Sequence, residues 1–237
     1  MNNHAAWERE YRNPKLVTLH NEPQSSVKEF FRWLRKKENV ELTGLHTLDL
    51  GCGTGRNTLH LASEGVAQAV GIDISKTAIE YAQKAAATEN LTSVTKFIVG
   101  SIGEQLPFTD QSFDLILDVT ASNALSEKER LTYVSEMHRL LKPNGHIFVR
   151  ALCKDGDTNA KELIKASPGP ETDTYIMPDT GFIERVFSKT DFEALYGQYF
   201  TVAYIDKETH YTLFNGRRYK RNFWIAYLKP LQNNSTK

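Results

Sequence analysis

Residues Leu48 to Gly65 read "LDLGCGTGRNTLHLASEG": an apolar run carrying one carboxylate, three alternating glycines, then a helical pattern. The apolar run has the length of a short buried strand, and the residues from Asn57 to Ser63 follow with helical spacing. A strand that ends in Gly51, Gly53 and Gly55 lets backbone N–H groups come close to a ligand. The helix behind the loop points its positive end at the same place. The stretch therefore predicts a strand, a loop and a helix arranged to hold a polar ligand against main chain.

The same alternation extends to both sides. Upstream, "QSSVKEFFRWLRKKE" (24–38) sets Val27, Phe30, Phe31 and Leu34 at helical spacing, with Ser25 or Ser26 as the expected N-cap. Downstream, "AQAVGIDI" reads as strand and "SKTAIEYAQKAAATEN" as a helix capped by Ser75. "VTKFIVG" and "SFDLILDV" are further strands, "SEKERLTYVSEMHRLL" a helix capped by Ser126, and "HIFVRAL" a strand after the turn "KPNG". Strands alternating with helices of this length predict a parallel sheet covered on both faces.

Beyond Leu152 the rhythm changes. Residues 153–187 are rich in Gly, Pro and Asp around one short helical piece, which suits an excursion over the surface. "SKTDFEALYGQY" is a capped helix, and "FTVAYIDKETHYTLF" with "RNFWIAYLKP", joined by "NGRR", reads as an antiparallel hairpin finishing the sheet. We expect one α/β domain over 1–237: an N-terminal helical cap and lead-in over 1–44, a core over 45–152, and an excursion with the hairpin over 153–237.

Composition removes several functional classes. Of 237 residues, 29 are Lys or Arg and 29 are Asp or Glu, so no charge excess favours a nucleic acid or a membrane surface. No run approaches the ~18 apolar residues of a membrane span, and a cytoplasmic protein is expected. Cys52 and Cys153 lie in unrelated contexts and the seven histidines are scattered, so no metal is expected.

Two kinds of ligand use a glycine loop of this form, dinucleotides and S-adenosylmethionine. A dinucleotide calls for G-x-G-x-x-G, and here Arg56 and Asn57 follow Gly55 with no glycine at the third position. Asp49, two residues before Gly51, would repel a pyrophosphate and attract a sulfonium or ammonium. Asp73, about 20 residues beyond the loop, stands where an acid meets ribose hydroxyls, although it could equally serve the start of the next helix.

Taken in order and spacing, "LDLGCGTGRNTLHLASEG", "VGIDIS", "GSIGEQLPFTDQSFDLILD" and "EMHRLLKPNGHIFV" resemble the successive motifs of class I S-adenosylmethionine-dependent methyltransferases, over roughly residues 45–150. The resemblance implies a Rossmann-like, doubly wound seven-stranded sheet, mostly parallel, and S-adenosyl-L-methionine as cofactor with S-adenosyl-L-homocysteine as product. By position it implies that Asp49, Gly51, Cys52, Gly53 and Gly55 line the methionine end and that Asp73 meets the ribose. It further implies that Ile74 packs on the adenine, that Ser101 and Ile102 flank its edge, and that Asp118 and Val119 border the substrate mouth. Tyr11 and Asn57 join the expected cofactor contacts. Many relatives carry an aspartate at the position of Ser101, and a neutral hydroxyl is the weaker acceptor for the adenine amino group. "WEREYRNP" resembles the aromatic leader that folds over the cofactor; Trp7 and Tyr11 share a helix face and could also be a plain apolar anchor.

The acceptor is less legible. "DVTASNAL" (118–125) is not the N-P-P-Y type of adenine or glutamine methylation, and no Pro-Cys pair is present for attack on a pyrimidine. This leaves oxygen, sulfur, carboxylate or other nitrogen acceptors, bound by candidates Arg150, Tyr175, Arg185, Tyr211 and Arg217. His210 is the candidate general base, with a surface histidine as the plainer reading. The run "GRRYKRNFW" (216–224) mixes cations and aromatics as RNA-binding segments do, yet strand alternation splits it between two faces and a solvated, charge-blunted edge is the simpler account. The expectation is methyl transfer to a small molecule, with a tRNA methyltransferase and a non-catalytic cofactor-binding subunit as the alternatives.

Overall fold

The computed structural model describes residues 3–15, 22–178, 180–214 and 217–231, with the backbone alone for 212–214 and 217–219. Strands β1 (His46–Leu50), β2 (Gln68–Asp73), β3 (Thr95–Val99), β4 (Phe113–Val119), β5 (Leu141–Leu152), β8 (Phe200–Phe214) and β9 (Arg217–Pro230) form one sheet in the order β3-β2-β1-β4-β5-β9-β8. The first five are parallel, and β9 runs antiparallel to both β5 and β8. This is the doubly wound sheet with a closing hairpin that the alternation predicts.

The order reverses between β1 and β4. Loops leaving their carboxyl ends turn to opposite faces and open a crevice, which is where open α/β sheets bind ligands. Helices α3 (Arg56–Ser63), α4 (Lys76–Thr88), α5 (Glu127–Leu140) and α7 (Lys189–Tyr196) supply the crossovers. Strand alternation divides the core: Ile116 of β4 packs with Leu48, Val149 and Tyr133 on one face. Its neighbours Leu115 and Leu117 pack with Phe148, Phe30 and Phe31 on the other.

Several caps fall where expected. The Ser75 hydroxyl accepts from the Ala78 amide at the head of α4, and Ser126 and Ser188 form reciprocal capping boxes with Glu129 and Asp191. Helix α2 (Ser25–Trp33) differs: Gln24 is its N-cap, without a side-chain hydrogen bond, and the buried Ser26 hydroxyl has no partner among the described residues. Gln24 is engaged elsewhere, its amide donating to Asn57 Oδ1 at 3.0 Å and its side chain accepting from Arg56 at 3.1 Å.

The excursion after β5 contains α6 (Thr158–Ala166) and a two-stranded sheet of β6 (Thr174–Ile176) and β7 (Ile183–Arg185), which its Gly and Pro content hides in the sequence. The hairpin is longer than the apolar pattern suggests. β5 pairs with β9 only from Leu152↔Phe223 to Ile147↔Leu228, while β8 and β9 pair to Phe214↔Arg217. The far half of the hairpin therefore projects past the edge of β5 and carries His210, Tyr211 and Arg221 over the crevice. No helix of the described residues is long and apolar enough to cross a membrane.

Candidate cofactor and acceptor site

One cavity of ≈ 1180 Å³ follows the carboxyl ends of β1, β2, β4 and β5. At one end its wall is mostly main chain: Gly51, Cys52, Gly53 and Thr54 after β1, Asp73 and Ile74 after β2, and Gly100, Ser101 and Ile102 after β3. Gly51 has φ +70°, and a Cβ there would lie 2.3 Å from that of Ala121. Only glycine lets the loops after β1 and β4 meet so closely. A Cβ on Gly53 would sit 2.7 Å from the Tyr11 hydroxyl, so the aromatic ring closes directly on the loop.

Asp73 ties this end together. Its Oδ2 accepts from the Gly53 amide at 2.9 Å and its Oδ1 from the Ser75 amide at 2.8 Å. Burial pushes its pKa up to about 6 against the lowering by those two bonds. A carboxylate has about four acceptor positions, so two remain for hydroxyl donors from the cavity. Ile74, Ile102 and Val119 add apolar wall beside it.

The other end is made of side chains from distant segments. Arg150 at the end of β5 lies with its guanidinium carbon 3.4 Å from the centre of the Phe223 ring, and its Nε donates to Glu208 Oε2 at 3.2 Å. Burial lowers its pKa to about 10, with Arg56 and Arg221 adding to the fall against the pull of Glu208. Arg221 donates to Glu184 at 2.7 Å and to the Tyr175 hydroxyl, which itself donates to Glu184 at 2.7 Å. Thr120, at φ 64°, donates its amide to the Arg150 carbonyl at 2.7 Å. A β-branched residue in the left-handed region is strained, and such strain gathers at functional sites.

Helix α1 (Asn3–Arg12) bridges the two ends. Glu8 accepts from the Ser75 and Thr77 hydroxyls at 2.7 Å each, anchoring α1 to the head of α4. Asn3 donates to the carbonyls of Ala124 at 2.6 Å and Ile183 at 3.0 Å, anchoring it to the loop after β4 and to β7. Trp7 stacks on Phe182 with ring centres 4.1 Å apart, and its ring lies 6.2 Å from that of Tyr11.

The profile of a family described as "Methyltransferase domain" matches residues 42–208. The chain belongs to the class I S-adenosylmethionine-dependent methyltransferase family. It is 27% identical over 157 residues to the probable chloroplastic tocopherol O-methyltransferase of Oryza sativa subsp. japonica, covering 65% of this chain and 42% of that protein. It is 35% identical over 102 residues to the ajmaline N-methyltransferase of Rauvolfia serpentina, covering 43% and 34%. It thus spans less than half the length of either relative. Among solved structures, a SAM-dependent methyltransferase of Methanosarcina mazei superposes with a TM-score of 0.69 at 23% identity, covering 88% of this chain and 98% of that one, a likeness of fold. The cofactor of this methyltransferase family is S-adenosylmethionine.

The residues of this chain fit that cofactor by the open acceptor positions on Asp73 and by the main-chain wall that Tyr11 covers. Gly51, Cys52, Gly53, Asn57, Asp73, Ile74, Ser101, Ile102 and Val119 all lie in the cavity wall, as does Tyr11. Three expected contacts lie behind it. Asp49 is buried under the loop, accepting from the Thr58 hydroxyl at 2.7 Å, with its pKa raised by burial to about 6. Gly55 starts α3 and packs towards Ala82 and Phe97. Asp118 is fully buried, accepting from the Ala121 amide at 2.8 Å and the Tyr133 hydroxyl at 2.6 Å, so it shapes the loop after β4 from below.

On the acceptor side, Arg150, His210 and Tyr211 line the cavity. Tyr175 stands one layer back, bonded to Glu184 and Arg221. Arg185 turns away: it donates to the Thr172 carbonyl and lies 3.7 Å from Asp191, outside the cavity. The Arg217 side chain falls outside the described residues. Sequence reasoning missed Arg56, Thr120, Glu184 and Arg221 in the wall. Arg221 has a visible signal, an arginine two places before the apolar stretch of β9, but the charged run around it favours the solvated reading that its pairing with Glu184 and Tyr175 in a half-buried position overturns.

Proposed function

We propose that this chain transfers a methyl group from S-adenosylmethionine to a small molecule held between the loop after β4, β7 and His210, Tyr211, Arg221 and Phe223 of the β8–β9 hairpin. The observation that supports this most is that the cavity runs unbroken from Asp73 to Arg150 and Arg221 beneath α1. Its ≈ 1180 Å³ exceeds the several hundred Å³ usual for one small ligand and suits two side by side. The even balance of 29 basic and 29 acidic residues supports a small acceptor over an RNA.

When bound, the cofactor supplies a methyl group on a sulfonium, already activated for in-line displacement. The protein's residues align and enclose. Asp73 and the main-chain wall after β1 would fix the cofactor's place, and Tyr11 with Trp7 would cover it from α1, excluding water. Thr120 and Ala121 hold the loop between the two ends, and Arg150 with His210 faces the acceptor.

Transfer of labelled methyl from S-adenosylmethionine into a cell extract, separated by size with and without nuclease, tests this reading. Label in small molecules supports it. Nuclease-sensitive label in the large fraction replaces the acceptor with RNA, and cofactor binding without label in any fraction replaces the enzyme with a binding subunit.

A further inference from the structure

We propose that the methyl acceptor is an acidic hydroxyl, the oxygen of a phenol or enol, received between Arg150 and His210 with Glu208 positioning both. This rests on the methyltransferase reading and narrows its substrate to one chemistry.

The open donors of Arg150 carry the choice of class. The wall carboxylates hold donors already: Glu184 takes Tyr175 and Arg221 through Oε2, and Glu171 takes Arg130 and the Glu127 amide. Glu129 takes the amide and hydroxyl of Ser126 through Oε2. Arg150 is different. It is 6% exposed, and its one hydrogen bond among the described residues leaves through Nε to Glu208. Its two Nη groups have no protein acceptor among those residues, and the side chain lines the cavity. The open valence is therefore a buried cationic donor, which an oxyanion satisfies and an ammonium repels. Arg56 and Arg221, in the same wall, add the same sign.

Glu208 joins that donor to a base. One carboxylate oxygen lies 3.2 Å from Arg150 Nε, and the other lies 2.8 Å from His210 Nε2. The approach to His210 is close but lacks hydrogen-bond alignment. Residues 208 and 210 share a face of β8 by strand alternation, so the pair is set by the strand itself. With Nε2 turned to Glu208, Nδ1 is the nitrogen left for a ligand, and it has no partner among the described residues. The groups facing His210 are Glu208 on β8, Arg150 on β5, and Arg221 with Phe223 on β9.

Nδ1 takes the hydroxyl proton, and Arg150 carries the negative charge that develops on oxygen. An oxygen lone pair forms the new O–CH3 bond as the S–CH3 bond breaks, and that bond's electron pair stays on sulfur. A neutral phenol and a sulfonium thus become an ether, a thioether and a proton on His210, which passes to water.

The test is calorimetric titration of the protein saturated with S-adenosylhomocysteine. The probes are para-nitrophenol and a cyclic β-diketone, each against its own methyl ether, with benzylamine as the cationic control. The expected result is at least about tenfold tighter binding of each acid than of its ether, no measurable amine binding, and bound nitrophenol ionised at lower pH than free, read from its visible band. Arg150→Met abolishes the preference. Should that variant fail to fold, Glu208→Gln carries the test: freeing Arg150 from its counter-charge tightens the phenolate about threefold or more, while methyl transfer slows. Equal binding of acid and ether, or preference for the amine, overturns the proposal. Absence of S-adenosylhomocysteine binding is a separate result that removes the methyltransferase reading and this proposal with it.

Discussion

The two ends of the cavity are built on opposite plans. The cofactor end is mostly main chain at the tips of neighbouring parallel strands, contributed by short segments: 51–54, 56–57, 73–74 and 100–102. The acceptor end is side chain, and its partners come from far apart in the chain: Arg150 with Glu208, Arg221 with Glu184 and Tyr175, Arg130 with Glu171. Backbone geometry tolerates little change, because a Cβ in the wrong place has nowhere to go. Paired side chains can be exchanged one pair at a time. The difference explains how one fold keeps its cofactor while changing its acceptor.

The most direct way to break the comparison is Gly51→Val. The residue would occupy φ +70° with its Cβ 2.3 Å from that of Ala121. Left-handed backbone and overlap together cost about 3–5 kcal/mol. We expect at least about a hundredfold loss of cofactor affinity by calorimetry, together with a lowered melting temperature. Wild-type affinity in this variant would show that the loops after β1 and β4 need not touch.

Asp49→Asn gives a smaller effect of the opposite sign. Burial raises the folded-state pKa of Asp49 from 3.8 to about 6, so the folded protein holds this proton more tightly than the unfolded chain. The contribution to stability is fully present below pH 3.8 and is lost as pH rises through about 6. Asp73, raised to about 6 by burial, steepens the same decline. Glu8, held near 2 by its Thr77 and Ser75 hydrogen bonds against burial, acts lower: its contribution is present above 4.5 and lost as pH falls through 2. Asp49→Asn therefore flattens the pH 4–6 slope in chemical unfolding and raises stability at pH 7 by about 2–3 kcal/mol. An unchanged slope would mean that Asp49 is hydrated in solution.

The same contrast explains what could be read from sequence. Strand alternation and helix caps are local, so the sheet, the Ser75, Ser126 and Ser188 caps and the glycine loop are all legible. Cavity positions that follow from motif spacing, Asp73 to Val119, are legible too. Asp49, Gly55 and Asp118 belong to the same motifs yet lie behind the wall, because spacing fixes the position of a residue and not the direction of its side chain. The β6–β7 pair is hidden because three-residue strands leave no periodicity. Arg221 is hidden because its partners Glu184 and Tyr175 lie 37 and 46 residues away, and nothing local marks a charge as destined for burial.

Helix α1 links the two plans, and Glu8→Gln tests the link. The change keeps the side chain's length but removes the charge that gathers the Ser75 and Thr77 hydroxyls. A loss of about 1 kcal/mol confined to α1 is expected, since charge-assisted bonds become neutral ones. Trypsin should then cut faster at Arg9 and Arg12, and S-adenosylhomocysteine should restore protection. Cleavage at the wild-type rate would place the hold of α1 in Asn3 and Trp7 instead.

The smallest effect separates two arginines that look alike in the sequence. Arg185 and Arg150 both sit at the end of a strand near the acceptor side, and both are candidates for an anionic ligand. Arg185 donates one Nη to the Thr172 carbonyl, keeps a buried Nε without a partner among the described residues, and lies 3.7 Å from Asp191, the two side chains being 15% and 41% exposed. Such a half-exposed pair contributes about 0.5–1 kcal/mol. Arg185→Ala should therefore lower stability by no more than that and leave acceptor KM within about twofold, because an unaltered cavity wall binds as before. Arg150→Ala should raise KM at least about tenfold in the same assay, because there the missing donor faces the ligand. If both substitutions moved KM alike, the acceptor end would reach past β7, and the side-chain plan would extend further than the cavity outlines.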